Sequence, residues 1–163
     1  MAALDQGSVV KVRAALTAAG VKDKVVELAA TARSAEDAAK ALKTELGSIV
    51  KSMVFKIGDQ PVMALVAGDH KVKPDQLPRA LFLKGDVKLL NAEEVRAATG
   101  FAIGGVAPVG LPAKIPTVLD VSLKRFPTVY AAAGHPHCVF PTNVEELKKL
   151  TGCIVSYAIA EKA

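Results

Sequence analysis

The sequence predicts a mixed α/β (α+β) fold: one domain over residues 1–163, built on a mixed β-sheet. Three observations lead there. Helix-like and strand-like stretches alternate irregularly, which argues against a doubly wound parallel sheet. Two apolar, β-branched stretches, 49–57 and 61–67, flank the turn Gly58-Asp59-Gln60 and read as a β-hairpin. No internal repeat, low-complexity segment or linker divides the chain. A chain of this length can bury roughly 70% of its unfolded surface, enough for a substantial core.

In order along the chain, Ser8 is placed to cap a helix whose apolar face is Val9, Val12, Leu16 and Ala19, with Gly20 as its stop. Residues 24–28 read as a short strand and 29–33 as a loop. Ser34 then caps a second helix, with Asp37 three residues on, and that helix runs toward Gly47. After the hairpin, 68–73 is polar and reads as a turn in which His70 is solvated. A short helix lies within 74–83 and a strand at 86–90. Asn91-Ala92-Glu93-Glu94 caps a helix that ends at Gly100. Strands are expected at 117–121, 128–133 and 138–140, a helix capped by Thr142 or Asn143 and stopped by Gly152, and a last strand at 153–159.

Composition narrows the function. The chain is 51% hydrophobic, which fits a globular protein. No apolar run reaches the roughly 18 residues of a membrane span. Asp5, Gln6 and Lys11 interrupt any signal-peptide core, so a cytoplasmic protein without membrane contact is expected. Cys138 and Cys153 have neither CxxC nor metal spacing and read as reduced core residues. The net charge of +5 hints at an anionic partner. Aromatics make up 4%, too few for an extended platform of stacked bases.

The stretch Thr99-Gly100-Phe101-Ala102-Ile103-Gly104-Gly105-Val106-Ala107-Pro108-Val109-Gly110 holds four of the chain's twelve glycines. A flexible linker would be polar, whereas this loop is apolar and reads as packed backbone, either a tight structural turn or a surface that offers N–H groups to a ligand. It matches neither a Walker loop nor the dinucleotide fingerprint. Lys51 is the other singular residue, an ammonium inside the apolar run Ile49-Val50-Lys51-Ser52-Met53-Val54-Phe55. It is either an edge-strand lysine facing solvent or a functional cation.

The glycine stretch, followed by Ile115-Pro116-Thr117-Val118-Leu119-Asp120, resembles the YbaK/prolyl-tRNA-editing domain family. Gly47-Ser48-Ile49-Val50-Lys51-Ser52 upstream and Ala132-Ala133-Gly134-His135-Pro136 downstream resemble it too. Three motifs in the family's order, covering nearly the whole chain, make the resemblance specific. It implies a curved, barrel-like mixed sheet ringed by helices. It also implies a free-standing trans-editing aminoacyl-tRNA deacylase that hydrolyses the ester of a mischarged tRNA, with proline tRNA the expected carrier. Lys51 aligns with the family's active-site lysine. Gly104, Gly105, Val106 and Pro108 match its pocket loop, and Thr31, Ser34, Asp120, Gly134 and His135 match further substrate-binding positions. The family is thought to use the substrate's own ribose hydroxyl in place of a protein base.

No cofactor is implied. His135 and His137 could share a metal only with a third ligand, which the neighbouring sequence does not supply, so no metal is expected. The expected partners are tRNA and a separate prolyl-tRNA synthetase, with the protein a monomer or weak homo-oligomer. Leu111 departs from relatives that have histidine or glutamine after the loop's last glycine. The alternative is a catalytically inactive module of the same fold that binds tRNA or a synthetase, and ester hydrolysis separates the two.

Overall fold

The structure, a computed structural model, describes residues 2–30 and 34–163. A 3-10 turn, Ala3–Asp5, leads into α1, Gly7–Ala18, which buries Val9, Val12 and Leu16. Its N-cap is Gln6, not Ser8, and no side chain caps it. The Gln6 carbonyl accepts from the amides of both Val9 and Val10, so backbone alone closes the first turn.

Strand β1 is only Val26–Glu27. Helix α2, Ala35–Leu42, starts on Ser34, whose side chain accepts from the Asp37 amide as the capping pattern requires. It stops before Gly47, at a left-handed Lys43, and a 3-10 turn, Leu46–Ser48, leads into the hairpin. Strands β2, Val50–Ile57, and β3, Gln60–Ala67, pair in antiparallel register from Val50 opposite Ala67 to Ile57 opposite Gln60.

The hairpin shows little polar alternation because the sheet is covered on both faces. On one face Val50, Val54, Met63 and Leu65 join a core with Val9, Val12, Leu16, Phe101 and Phe140. On the other, Phe55, Ile57, Val62, Ala64 and Val66 pack with Leu77, Leu81, Val118 and Ile159. The residues that bring helix α3, Leu77–Leu81, onto the second face follow a 3-10 turn at Pro74–Gln76.

Further strands extend the sheet. β5, Val87–Leu89, pairs antiparallel with β2, and β6, Thr117–Asp120, pairs parallel with β3. Strand β9, Ile154–Ser156, pairs parallel with β6. The order is therefore β5-β2-β3-β6-β9, a mixed sheet as predicted, with β5 and β9 at its edges. A second, antiparallel sheet contains β7, Val129–His135, and β8, Cys138–Thr142, with β1 on the far side of β8. A parallel bridge from Ile49 to Tyr130 sets β7 beside the start of β2.

Two local expectations are corrected. The polar segment after β3 is not simply a turn: His70–Val72 is a strand, β4. The predicted strand 153–159 is two strands, β9 and β10, the latter Ala160–Lys162. The break comes where the Ser156 hydroxyl accepts from the Ala158 amide and turns the backbone. Strand β10 then pairs antiparallel with β4, Lys162 opposite His70. Helices α4, Ala92–Thr99, and α5, Val144–Thr151, obey their local signals. Asn91 and Glu94 form a reciprocal capping box, and Asn143, not Thr142, caps α5.

Candidate active site

Lys51 lies one residue into β2, opposite Val66 on β3, and is half-buried. Its Nζ donates to the carbonyl oxygen of His70 on β4. Burial pushes its pKa down, and the carboxylates of Asp69 and Glu36 oppose that shift. Among the described residues one of the three ammonium donors is thus taken by protein, and an ammonium has two more to offer a ligand.

Lys51 lines a cleft of about 250 Å³, together with Ser34 and Ala38 from the start of α2, Ser52, Gly104 and Val106 from the glycine loop, and Tyr130 from β7. Four residues singled out in the sequence therefore meet here: Ser34, Lys51, Gly104 and Val106. A smaller apolar recess of about 170 Å³ shares Ser52, Gly104 and Val106 with the cleft and adds Met53, Val54 and Ile103. The Ser52 hydroxyl is buried where the two meet and has no hydrogen-bond partner among the described residues. Sequence reasoning passed over Ser52, which looked like one more strand serine.

The glycine loop owes its shape to short-range bonds. Gly100 ends α4 in the left-handed region, and the Thr99 hydroxyl bonds both the Val95 carbonyl and the Phe101 amide. Phe101 is wholly buried. The Gly105 amide donates to the Ala102 carbonyl, so it closes the loop's own turn instead of facing a ligand. A Cβ at Gly105 would sit 3.0 Å from the backbone of His135, so the missing side chain lets the loop lie directly on β7. Gly134 has φ +94°, and a Cβ there would meet the Ser8 carbonyl oxygen at 2.5 Å. Gly105 and Gly134 thus set the distance between loop, strand and α1.

The other predicted positions lie elsewhere. Pro108 borders a separate depression with Ala15, Leu111 and Leu150, and Leu111 packs against the larger core. Asp120 is buried at the end of β6, where its carboxylate accepts from the Ser122 amide at 3.1 Å and from the Ser122 hydroxyl. It caps the 3-10 turn Val121–Arg125. His135 sits at an irregularity in the β7–β8 pairing, its Nδ1 accepting from the His137 amide, with the two rings edge-on at 5.1 Å. No group of three His, Cys, Asp or Glu side chains among the described residues is placed to hold a metal. Thr31 lies outside the described residues.

A charged cluster beside Lys51 was not legible in the sequence. Arg125 holds Asp69 through two bonds, Nη1 to Oδ2 at 3.0 Å and Nη2 to Oδ1 at 2.7 Å. His70 Nδ1 lies 2.7 Å from Asp69 Oδ1, so His70 is a partnered strand residue and not a solvated turn residue. The Arg125 guanidinium, with help from His70, holds the Asp69 carboxyl well below the usual carboxylate range. Asp69 and Arg125 are 56 positions apart, which hides the pairing from any local motif. Burial pushes the Cys138 thiol up to about 11 and raises that of Cys153, which disfavours a thiolate nucleophile. No described helix is long and apolar enough to cross a membrane.

Comparison with known proteins adds the following. Residues 29–150 match the family described as the aminoacyl-tRNA editing domain. YwhH of Bacillus subtilis, whose function is unassigned, is 33% identical over 145 residues, covering 88% of this chain and 91% of that protein. EbsC of Enterococcus faecalis, named as a candidate Cys-tRNA(Pro)/Cys-tRNA(Cys) deacylase, is 31% identical over 62% of each chain. The chain spans only 18% of a proline–tRNA ligase from Solidesulfovibrio magneticus that it also resembles. Among solved structures, one described as a candidate trans-editing enzyme for prolyl-tRNA synthetase superposes with a TM-score of 0.89 and 39% identity. That match covers 96% of this chain and 98% of the other.

Proposed function

The chain belongs to the aminoacyl-tRNA editing domain family, and on that premise we propose that it is a free-standing trans-editing deacylase. It removes a wrong amino acid from a mischarged tRNA, with proline tRNA as the carrier and a prolyl-tRNA synthetase as its separate partner. The relatives matched along nearly their whole length support the free-standing form. The Ile49–Tyr130 bridge, which sets the second sheet against the first, supports one domain with a curved, barrel-like wrapping of strands.

The observation that carries the proposal is the half-buried Lys51 lining one cleft together with Gly104 and Val106 of the glycine loop. In the reaction, water attacks the ester carbonyl carbon and negative charge gathers on the carbonyl oxygen. The carbon–oxygen bond to the terminal ribose then breaks, and the ribose oxygen takes up a proton. The products are a free amino acid and an uncharged tRNA. Lys51 is the catalytic residue, donating to the ester or ribose oxygen as charge develops. Ser34, Gly104 and Val106 shape the space for the amino acid and terminal nucleotide, with Gly134 and His135 behind the glycine loop setting where it lies. The Lys51 donors and the absence of a low-pKa thiol fit a reaction in which the substrate's ribose hydroxyl handles the attacking water.

The test is deacylation of alanyl-, cysteinyl-, seryl- and threonyl-tRNA(Pro) by the parent and by Lys51→Ala. Losing one well-placed donor to a reacting oxygen costs roughly 10²–10³ in rate, about 3–4 kcal/mol. Lys51→Ala is expected to stay folded and lose rate on that scale. Lys56→Ala, whose side chain instead pairs with Glu94, is expected to keep the parent rate. Parent-like turnover by folded Lys51→Ala would leave Lys51 a structural lysine with no catalytic role. Absence of turnover by the parent on every substrate would favour the binding-only module.

A further inference from the structure

We propose that Asp69, clamped by Arg125, is a positioning residue that holds the His70 carbonyl where it anchors the Lys51 ammonium. The proposal rests on the reading of Lys51 as catalytic. A lysine stem has four rotatable bonds, and an ammonium that must meet one reacting oxygen needs something to fix it. Among the described residues, Nζ donates to a single protein group, the backbone carbonyl of His70. Whatever fixes that carbonyl therefore aims the lysine.

The turn that carries the carbonyl is held from several sides. The Gly68 amide donates to the Ile49 carbonyl at 2.7 Å, and a Cβ at Gly68 would lie 2.4 Å from the Leu46 carbonyl oxygen. The Ala163 amide donates to the Asp69 carbonyl at 3.0 Å, and Lys162 pairs with His70. The Asp69 carboxylate then takes both arms of Arg125 and the His70 imidazole. Arg125 is itself fixed, with Nε donating to the Ser122 carbonyl at 2.7 Å and its guanidinium 4.9 Å above the Phe126 ring.

Two further features show that room was kept for this cluster. A Cβ at Gly47 would come within 2.8 Å of Arg125 Nη2 and 2.9 Å of Asp69 Oδ2, so the pair seats against bare backbone just before β2. At the other end, Asp120 binds the amide and hydroxyl of Ser122, capping the turn that presents Arg125. A continuous path thus runs from Asp120 through Ser122, Arg125, Asp69 and His70 to Lys51. On this path Asp120 supports the site from behind and does not touch substrate.

Among the described residues, the groups that face Lys51 are Asp69 in the turn, Glu36 on α2 and the backbone of His70 on β4. Asp69 favours the charged ammonium against burial. Removing its charge lowers the lysine pKa further, so the alkaline loss of activity moves to lower pH.

The experiment measures kcat and KM across a pH series that runs from neutral into the alkaline limb of the parent's profile. The proteins are the parent, Asp69→Asn, Arg125→Lys and Lys51→Ala, on whichever of the four aminoacyl-tRNA(Pro) substrates the parent hydrolyses fastest. Asp69→Asn is expected to lose about 10- to 100-fold in kcat, the range for misplacing a catalytic group. Its KM should stay within about twofold, since the loss is of a transition-state interaction. Its alkaline limb should shift to lower pH, and Arg125→Lys, which keeps the charge but not the fork, should retain an intermediate rate. Parent kcat and an unmoved limb in Asp69→Asn, with Lys51→Ala inactive, overturn this proposal alone. Full activity of Lys51→Ala overturns the catalytic reading beneath it. Loss confined to the melting temperature, with the rate of the folded fraction unchanged, shows Asp69 to be structural only and also overturns the proposal. If Asp69→Asn does not fold, Arg125→Lys decides: a reduced kcat with a moved limb supports the positioning role, and a parent profile overturns it.

Discussion

At the scale of single residues, two neighbours on β2 carry opposite lessons. Lys51 stood out in the sequence because an ammonium inside an apolar run needs a reason, and the structure places it half-buried on a cleft. Ser52 carried no such signal, since a strand serine is ordinary, yet its hydroxyl is buried without a partner among the described residues. An unsatisfied buried hydroxyl costs roughly 1–3 kcal/mol, and replacing it with an apolar group removes that cost. Ser52→Ala is therefore expected to melt at the parent temperature or above it, while altering the relative rates on seryl- and alanyl-tRNA. Calorimetry and the same substrate panel check both parts. A clear fall in melting temperature would mean that the hydroxyl has a partner in the folded protein.

Among the elements, legibility followed the range of the interaction. The caps on Ser34 and Asn91 lie three residues from the amides they satisfy and were readable at once, Asn143 was one of two candidates with Thr142, and the cap expected at Ser8 is not formed. Strands β4 and β10 were not, because each is three residues long, partly exposed and paired with a partner far along the chain. The same limit hid Arg125 from Asp69. The glycine loop was visible as a motif, but only the structure shows why each glycine is there. Gly134 packs against the start of α1 with a positive φ, so Gly134→Ala must shift either strand or helix. Strained backbone of this kind costs on the order of 1–3 kcal/mol, before the clash is counted. Gly134→Ala should therefore lower stability by at least that much in urea unfolding. Gly7→Ala, at the open start of α1 with nothing near its Cβ, should be neutral or stabilising by up to about 1 kcal/mol. Equal stability of the two variants would contradict the close packing of α1 on β7.

For the whole molecule, the excess of lysine and arginine over acidic side chains, 21 against 16, suits a polyanionic partner. Binding of tRNA is expected to weaken as salt rises, with log K falling linearly in log salt concentration as counterions are released. A filter-binding or anisotropy titration at several salt concentrations checks this, and a flat response would argue against phosphate contacts. The ladder between β4 and β10 has a consequence in time. It joins Val72 to Ala160, closing a loop of about 90 residues, whereas β2 and β3 meet through a turn of a few residues. Contacts so distant along the chain are made late, after local hairpins are in place. In pulsed hydrogen exchange during refolding, the amides of β2 and β3 should gain protection before those of β4 and β10. The strand that carries the His70 carbonyl is then among the later parts of the fold to complete its pairing. The hairpin that carries Lys51 is thus expected to stand before the ladder that secures its carbonyl anchor, so the ammonium has its strand before it has a fixed partner.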